Sequence, residues 1–153
     1  MRVLSLFSGC GGLDLGFIGG FTCLSKCINK QMHPDWILKD EGNYVTLKPT
    51  GFEIVFANDI KQDAKTAYTT YFQDKVKDIN NTYVLASIVD LVKLAKEGKY
   101  LFPNDIDIVI GGFPCQDFSV AGKRLGFNSF KNHDGTKCNN DSLTSESRGQ
   151  LYL

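Results

Sequence analysis

The sequence predicts an α/β fold around a mostly parallel sheet, and three observations carry that prediction. The 153 residues are 42% hydrophobic and 22% charged, which suits a single folded core. Apolar runs of strand length alternate with segments whose apolar residues recur at helical spacing. Every stretch with the residue types of a site lies where such a run ends, the edge at which parallel sheets bind ligands.

The elements follow in chain order. Val3-Leu4-Ser5-Leu6-Phe7 is an apolar run halted by Gly9, Gly11 and Gly12, as expected of a buried strand entering a tight turn. Leu13, Phe17 and Phe21 then recur at helical spacing, with Gly16, Gly19 and Gly20 keeping that helix short. Residues 22–51 contain Pro34, Pro49, Trp36 and one candidate strand, Tyr44-Val45-Thr46-Leu47; they read as an inserted loop or hairpin. A second strand, Phe52-Glu53-Ile54-Val55-Phe56-Ala57, ends at Asn58-Asp59, and a helix over 61–72 presents Ala64, Ala67, Tyr68 and Tyr71. A brief strand at Tyr83-Val84-Leu85-Ala86 leads into a helix over 89–99, and Ile106, Ile108 and Ile110 mark the last strand. Beyond Gly111 the sequence is loop-like, and residues 132–146 form a polar, mobile loop rich in Asn, Ser, Thr and Asp.

Charge and cysteine usage narrow the function classes. Lys and Arg total 17 against 17 Asp and Glu, so any nucleic-acid contact must come from a local cluster. The start, with one basic residue, an apolar run and Cys10, mimics an export signal, but Ser5 and Gly9 interrupt a run already shorter than the roughly 7 apolar residues required. Nothing approaches the roughly 20 apolar residues of a membrane span, and a cytoplasmic location is expected. The five cysteines are odd in number and irregularly spaced, which in a reducing compartment reads as free thiols. Cys23, Cys27 and His33 could be three zinc ligands, but a fourth is missing and packing is the expected role. No Cys-x-x-Cys occurs, which disfavours a thiol-redox protein.

Three stretches carry chemistry. Phe7-Ser8-Gly9-Cys10-Gly11-Gly12, after a strand and before a helix, offers bare backbone and helix-terminal N–H groups to a ligand. It is also compatible with a plain turn. A dinucleotide fingerprint would want a glycine where Asp14 stands and an acid roughly 20 residues later, whereas the strand-ending acid is Asp59. At a strand end Asp59 could accept hydrogen bonds from ribose hydroxyls, or simply cap the next helix. The strongest stretch is Gly112-Phe113-Pro114-Cys115-Gln116. Pro114 fixes its own φ and extends Phe113, presenting Cys115 on a loop instead of inside the strand where a packing cysteine belongs. The thiolate is the reactive form, and Lys123 and Arg124, close in sequence, would favour it.

Together these blocks resemble the DNA (cytosine-5)-methyltransferase family over most of the chain, residues 22–51 and 132–146 excepted. The resemblance implies the Rossmann-like fold of S-adenosylmethionine-dependent methyltransferases, here incomplete at its C-terminal side. It further implies that Phe7, Ser8, Gly9, Gly11, Gly12, Asp59, Ile60, Ile88, Pro114 and Leu151 bind S-adenosylmethionine, with Asp59 on the ribose and Ile60 against the adenine. Cys115 would be the catalytic nucleophile. Gln116, Ser119, Lys123, Arg124 and Arg148 would contact the phosphates of double-stranded DNA holding a flipped cytosine; the bland role of these five is a solvated loop surface. No metal is implied. The family's third motif usually has Asp before Ile, where this sequence has Ser87-Ile88, putting the contact to the adenine amino group in question; the register disfavours Asp90 as a substitute. The family's Glu-Asn-Val motif, its arginine motif and its target-recognition region are not found. The expectation is therefore the N-terminal part of a catalytic domain, of the restriction-modification type. It would work with a second polypeptide, or else be a truncated chain that binds cofactor without activity, and its incomplete sheet predicts poor solubility alone.

Overall fold

The computed structural model describes residues 1–115, 118, 119, 126, 131–133, 136 and 137. Its centre is a parallel sheet of four strands: β1 (Arg2–Leu6), β5 (Glu53–Asp59), β6 (Tyr83–Leu85) and β7 (Ile108–Gly111), in the order β6-β5-β1-β7. Leu6 pairs with Asn58 on one side and Gly111 on the other, and Asp59 pairs with Leu85, so the carboxyl ends of all four strands lie on one edge. From β1 the chain first builds outward through β5 and β6, then crosses back to place β7 on the other flank. The switch point falls at the end of β1, where such sheets leave a crevice.

Helix α1 (Gly12–Ile18) follows β1, α2 (Gln62–Phe72) follows β5, the short α3 (Ile79–Thr82) precedes β6, and α4 (Ile88–Lys96) follows it. The core joins Val3, Ile54 and Ala57 of the sheet to Tyr68, Phe72, Val76 and Tyr83. The Tyr68 ring lies 4.4 Å from that of Phe72 and 4.7 Å from that of Tyr83. The buried face of α2 is thus Tyr68 and Phe72, not the predicted Ala64-Ala67-Tyr68-Tyr71 row, for Ala67 is exposed and Tyr71 is 49% exposed. On α1 the predicted apolar row is also displaced: Leu13 is 51% exposed, Phe21 lies beyond the helix, and the fully buried residue is Asp14. A short helix cradled by glycines rotates to whichever face the sheet accepts, and here Ser5 offers Asp14 a hydrogen bond of 2.6 Å.

Residues 22–51 are more ordered than a single hairpin. Strands β2 (Thr22–Leu24), β3 (Ile37–Asp40) and β4 (Tyr44–Leu47) form an antiparallel sheet in the order β2-β4-β3. It is closed at its base, where Leu47 N donates to Phe21 O at 2.9 Å and Gly20 N to Lys48 O at 3.2 Å. Cys23 and Cys27 are free thiols, and the His33 ring stacks on Trp36 at 3.9 Å. No helix among the described residues is long and apolar enough to cross a membrane. Among the same residues β7 is an edge of the parallel sheet, with Val109 64% exposed.

Candidate functional site

The carboxyl ends of the strands are tied together by polar side chains before any ligand is considered. Asn58, 1% exposed, donates from Nδ2 to Val84 O at 3.0 Å and Ala86 O at 2.8 Å, stapling β5 to the end of β6. Its backbone N donates to Ser8 Oγ at 3.0 Å and Ser8 N returns a bond to Asn58 O at 2.8 Å. Ser8 Oγ also reaches Ser5 Oγ at 2.9 Å. Ser8 is therefore a strap under the glycine loop.

The loop itself is held open by unusual backbone. Phe7 has φ 54, a left-handed conformation that a bulky residue adopts only when its surroundings enforce it. Its ring lies 5.0 Å from that of Phe113, joining the end of β1 to the loop after β7. Gly11 has φ 86, and a Cβ there would overlap the rings of Phe72 and Tyr68. At Gly12, the first residue of α1, a Cβ would meet nothing within 4 Å. Glycine is thus demanded at 11 by packing and at 12 by nothing among the described residues.

Asp59 ends β5 and bridges two backbones. Its Oδ2 accepts from Gly9 N and its Oδ1 from Lys61 N, both at 3.0 Å. The carboxylate makes no cap bond to α2, whose N-cap is Lys61, and a carboxylate with roughly four lone-pair sites keeps acceptor capacity beyond these two bonds. Tyr83 donates its hydroxyl to Gly9 O at 3.0 Å. Burial, then the charge of Asp59, holds that phenol well above its ordinary value.

These ties frame a cavity of about 390 Å³ at the switch point, within the range of small-ligand sites. Of the residues expected from sequence to bind cofactor, Phe7, Gly9, Asp59, Ile60, Ile88 and Pro114 line it. Ser8, Gly11 and Gly12 do not, and Leu151 lies outside the described residues. Ser87, which the sequence reading noted only as standing where the family has Asp, also lines the cavity, and His133 and Lys131, which that reading missed, reach it from a polar stretch with no spacing signal.

Cys115 stands just beyond Pro114, exposed and free. Its carbonyl accepts from Phe118 N at 3.0 Å and Ser119 N at 2.8 Å, a turn that draws Ser119 back toward it. Gln116, Lys123, Arg124 and Arg148 lie outside the described residues. An exposed loop thiol beside a ligand-sized cavity is placed for reaction with something outside the core.

Sheet order, glycine turn and strand-end carboxylate define a Rossmann-like α/β protein with a site at the switch point. The family of C-5 cytosine-specific DNA methylases matches residues 41–134, and the chain belongs to that family. Among similar proteins, the type II methyltransferase M.BsuRI of Bacillus subtilis is 36% identical over 82% of this chain and 25% of its own length. M.NgoPII of Neisseria gonorrhoeae is 33% identical over 82% of this chain and 25% of its own. M.HgiGI of Herpetosiphon aurantiacus is 31% identical over 81% and 67% respectively. The chain thus spans about a quarter of the first two and two thirds of the third. No solved structure matches it.

Proposed function

We propose that this chain carries the cofactor site and the nucleophile of a DNA (cytosine-5)-methyltransferase of the restriction-modification type. The observation that carries the reading is the convergence of Phe7, Gly9, Asp59, Ile60, Ile88 and Pro114 on one cavity beside the exposed Cys115. The donor set suits S-adenosylmethionine. The remaining lone pairs of Asp59 match ribose hydroxyls, the apolar Ile60 and Ile88 match a purine plane, and Gly9 and Gly112 bring bare backbone to the same space.

Cytosine C5 is too electron-poor to attack a methyl donor unaided. The Cys115 thiolate adds to C6, forming the S–C6 bond and moving an electron pair toward C5. When bound, S-adenosylmethionine supplies an electrophilic methyl group for that carbon. Loss of the C5 proton then expels Cys115 and restores the ring, leaving the thiolate ready for another turnover. A thiol on an exposed loop can meet such a base only when the base has left the duplex, so the DNA partner is a double strand with a flipped cytosine. Ser119, drawn toward Cys115, and Gln116, Lys123, Arg124 and Arg148 are assigned to the backbone phosphates, positioning the strand without reading it.

The motifs that hold the cytosine and read the sequence are to be supplied by further chain or by a second polypeptide, in keeping with β7 being an edge of the sheet among the described residues. Labelled-methyl transfer to unmethylated DNA tests the reading, with those motifs supplied and Cys115→Ser as the comparison. Transfer is expected to fall to background in Cys115→Ser while S-adenosylhomocysteine binding persists. Transfer surviving the substitution would remove Cys115 as nucleophile.

A further inference from the structure

Ser8 stands between Phe7 and Gly9, both of which line the cavity, and does not line it itself. It heads a row of hydroxyls that runs down into the fold instead. Asn58 N donates to Ser8 Oγ at 3.0 Å, Ser8 Oγ lies 2.9 Å from Ser5 Oγ, and Ser5 Oγ donates to Asp14 Oδ1 at 2.6 Å. Ser5 and Asp14 are 1% and 0% exposed. The row thus joins β5, the glycine loop, β1 and α1.

The acid at its end gives the row one direction. A carboxylate only accepts, so the single Ser5 proton goes to Asp14 and Ser5 Oγ is left as the acceptor for Ser8. The Ser8 proton is thereby committed to Ser5, and the Ser8 lone pairs face the Asn58 N–H. Without the acid, the buried Ser5 proton can turn to Ser8 Oγ and compete there with Asn58 N for the same lone pairs. Ser8 is the next residue to Phe7, whose left-handed φ of 54 persists only under constraint. Asp14 has no second fixed partner. The Tyr68 hydroxyl stands near the carboxyl, but neither it nor Asp14 Oδ2 makes a hydrogen bond of ordinary geometry among the described residues. A buried carboxylate so sparsely bonded costs stability, and its one short bond leads to the glycine loop.

We propose that Asp14 is a positioning residue for cofactor binding: through Ser5 and Ser8 it fixes the Phe7–Gly9 turn against the cavity without touching the ligand. The inference rests on the reading of the cavity as the S-adenosylmethionine site.

Calorimetric titration of the full chain with S-adenosylhomocysteine tests it. Asp14→Leu, which keeps the volume and removes the acceptor, is expected to weaken binding about tenfold, as is Ser8→Ala. Because both act through one row, the doubly substituted chain should bind within about twofold of either single variant. Asp14→Asn, which keeps an acceptor for Ser5, should bind within about twofold of the unmodified chain. Leucine separates loss of the acceptor from loss of volume, and asparagine separates the acceptor from the charge. Thermal melts identify any variant that is unfolded. If Asp14→Leu is one, Ser5→Ala breaks the row at its middle and carries the same two expectations, a tenfold loss and no further loss on adding Ser8→Ala. Unchanged binding by a folded Asp14→Leu or Ser5→Ala overturns the proposal. So does a double variant weaker by about a hundredfold, since Asp14 would then act independently of Ser8. Asp14→Asn binding as weakly as Asp14→Leu overturns it too, because the charge and not the row would then matter. Each of these results leaves the cofactor site intact, since the unmodified chain still binds. Absence of binding by the unmodified chain overturns the cofactor reading and the proposal together.

Discussion

The four-stranded parallel sheet and the three-stranded antiparallel sheet differ in how much they hide. In β1 and β5 the buried residues are Val3, Ser5, Ile54, Phe56, Ala57 and Asn58; Val3, Ile54 and Ala57 share a core with Tyr68 and Phe72 of α2, and the Phe56 ring meets Phe102 at 5.5 Å. In the smaller sheet Val45 alone is buried, while Leu24, Leu38 and Tyr44 are 41%, 62% and 52% exposed. The parallel sheet therefore supplies the cohesion, and polar residues such as Asn58 and Ser8 at its end are affordable because every one of their bonds is made inside a rigid frame. The antiparallel sheet is an appendage closed by backbone bonds at its base. Neither β2, β3 nor β4 contributes a residue to the cavity beside Cys115.

Substitutions should separate the two regions in a graded way. Phe72→Ala, removing a ring that is 1% exposed and shared with Tyr68, should lower stability by about 3–5 kcal/mol in denaturant unfolding. Gly11→Ala should follow at roughly 2–4 kcal/mol, combining a left-handed backbone with overlap against two rings. Gly12→Ala, at the very next residue but facing open space, should change stability by less than about 1 kcal/mol. A Gly12→Ala protein as unstable as Gly11→Ala would show that the loop, not the Tyr68–Phe72 packing, governs that corner. Leu38→Ala in the antiparallel sheet should cost under about 0.5 kcal/mol. Thermal melts showing a loss comparable to Phe72→Ala would make the small sheet part of the main cooperative unit.

Acid behaviour offers an intermediate test. Asp14 is fully buried, and burial raises its carboxyl above the ordinary 3.8 despite the bond from Ser5. Burial and the adjacent Asp14 charge also push the Tyr68 hydroxyl upward. Because the folded state holds the Asp14 proton more tightly than the unfolded chain, its contribution is complete below pH 3.8 and is lost as pH rises through the raised folded value. Asp14→Asn, which keeps an acceptor for Ser5, should remove that fall, at most about 1.4 kcal/mol per pH unit. Parallel stability-against-pH curves for the two proteins would show that Asp14 titrates normally.

The strand and helix order was legible because a parallel sheet with helices over it imposes long apolar runs broken by glycine, and the runs at 3–7 and 52–57 are of that kind. Cys115 and Asp59 were legible because Pro114 and the strand ends fix where such residues stand. The small sheet was half visible: exposed strands such as β3 need not alternate, so Ile37–Asp40 left no signature. The buried faces of α1 and α2 were misjudged for a related reason. Hydrophobicity cannot foresee that a carboxyl will be buried because a serine 2.6 Å away receives it.

What the sequence by itself determined, then, is the order of strands and helices, the glycine turn, the strand-end acid and the thiol on its proline-led loop. Each is set by neighbours in the chain, through backbone restriction or periodic burial. Tertiary structure alone decided that Asp59 ties the glycine loop to β5, that Asn58 binds two strands, and that His133 meets Ser87. Those contacts join residues 46 to 50 positions apart for the aspartate and histidine pairs. They form only once the parallel sheet has brought its carboxyl ends to one edge.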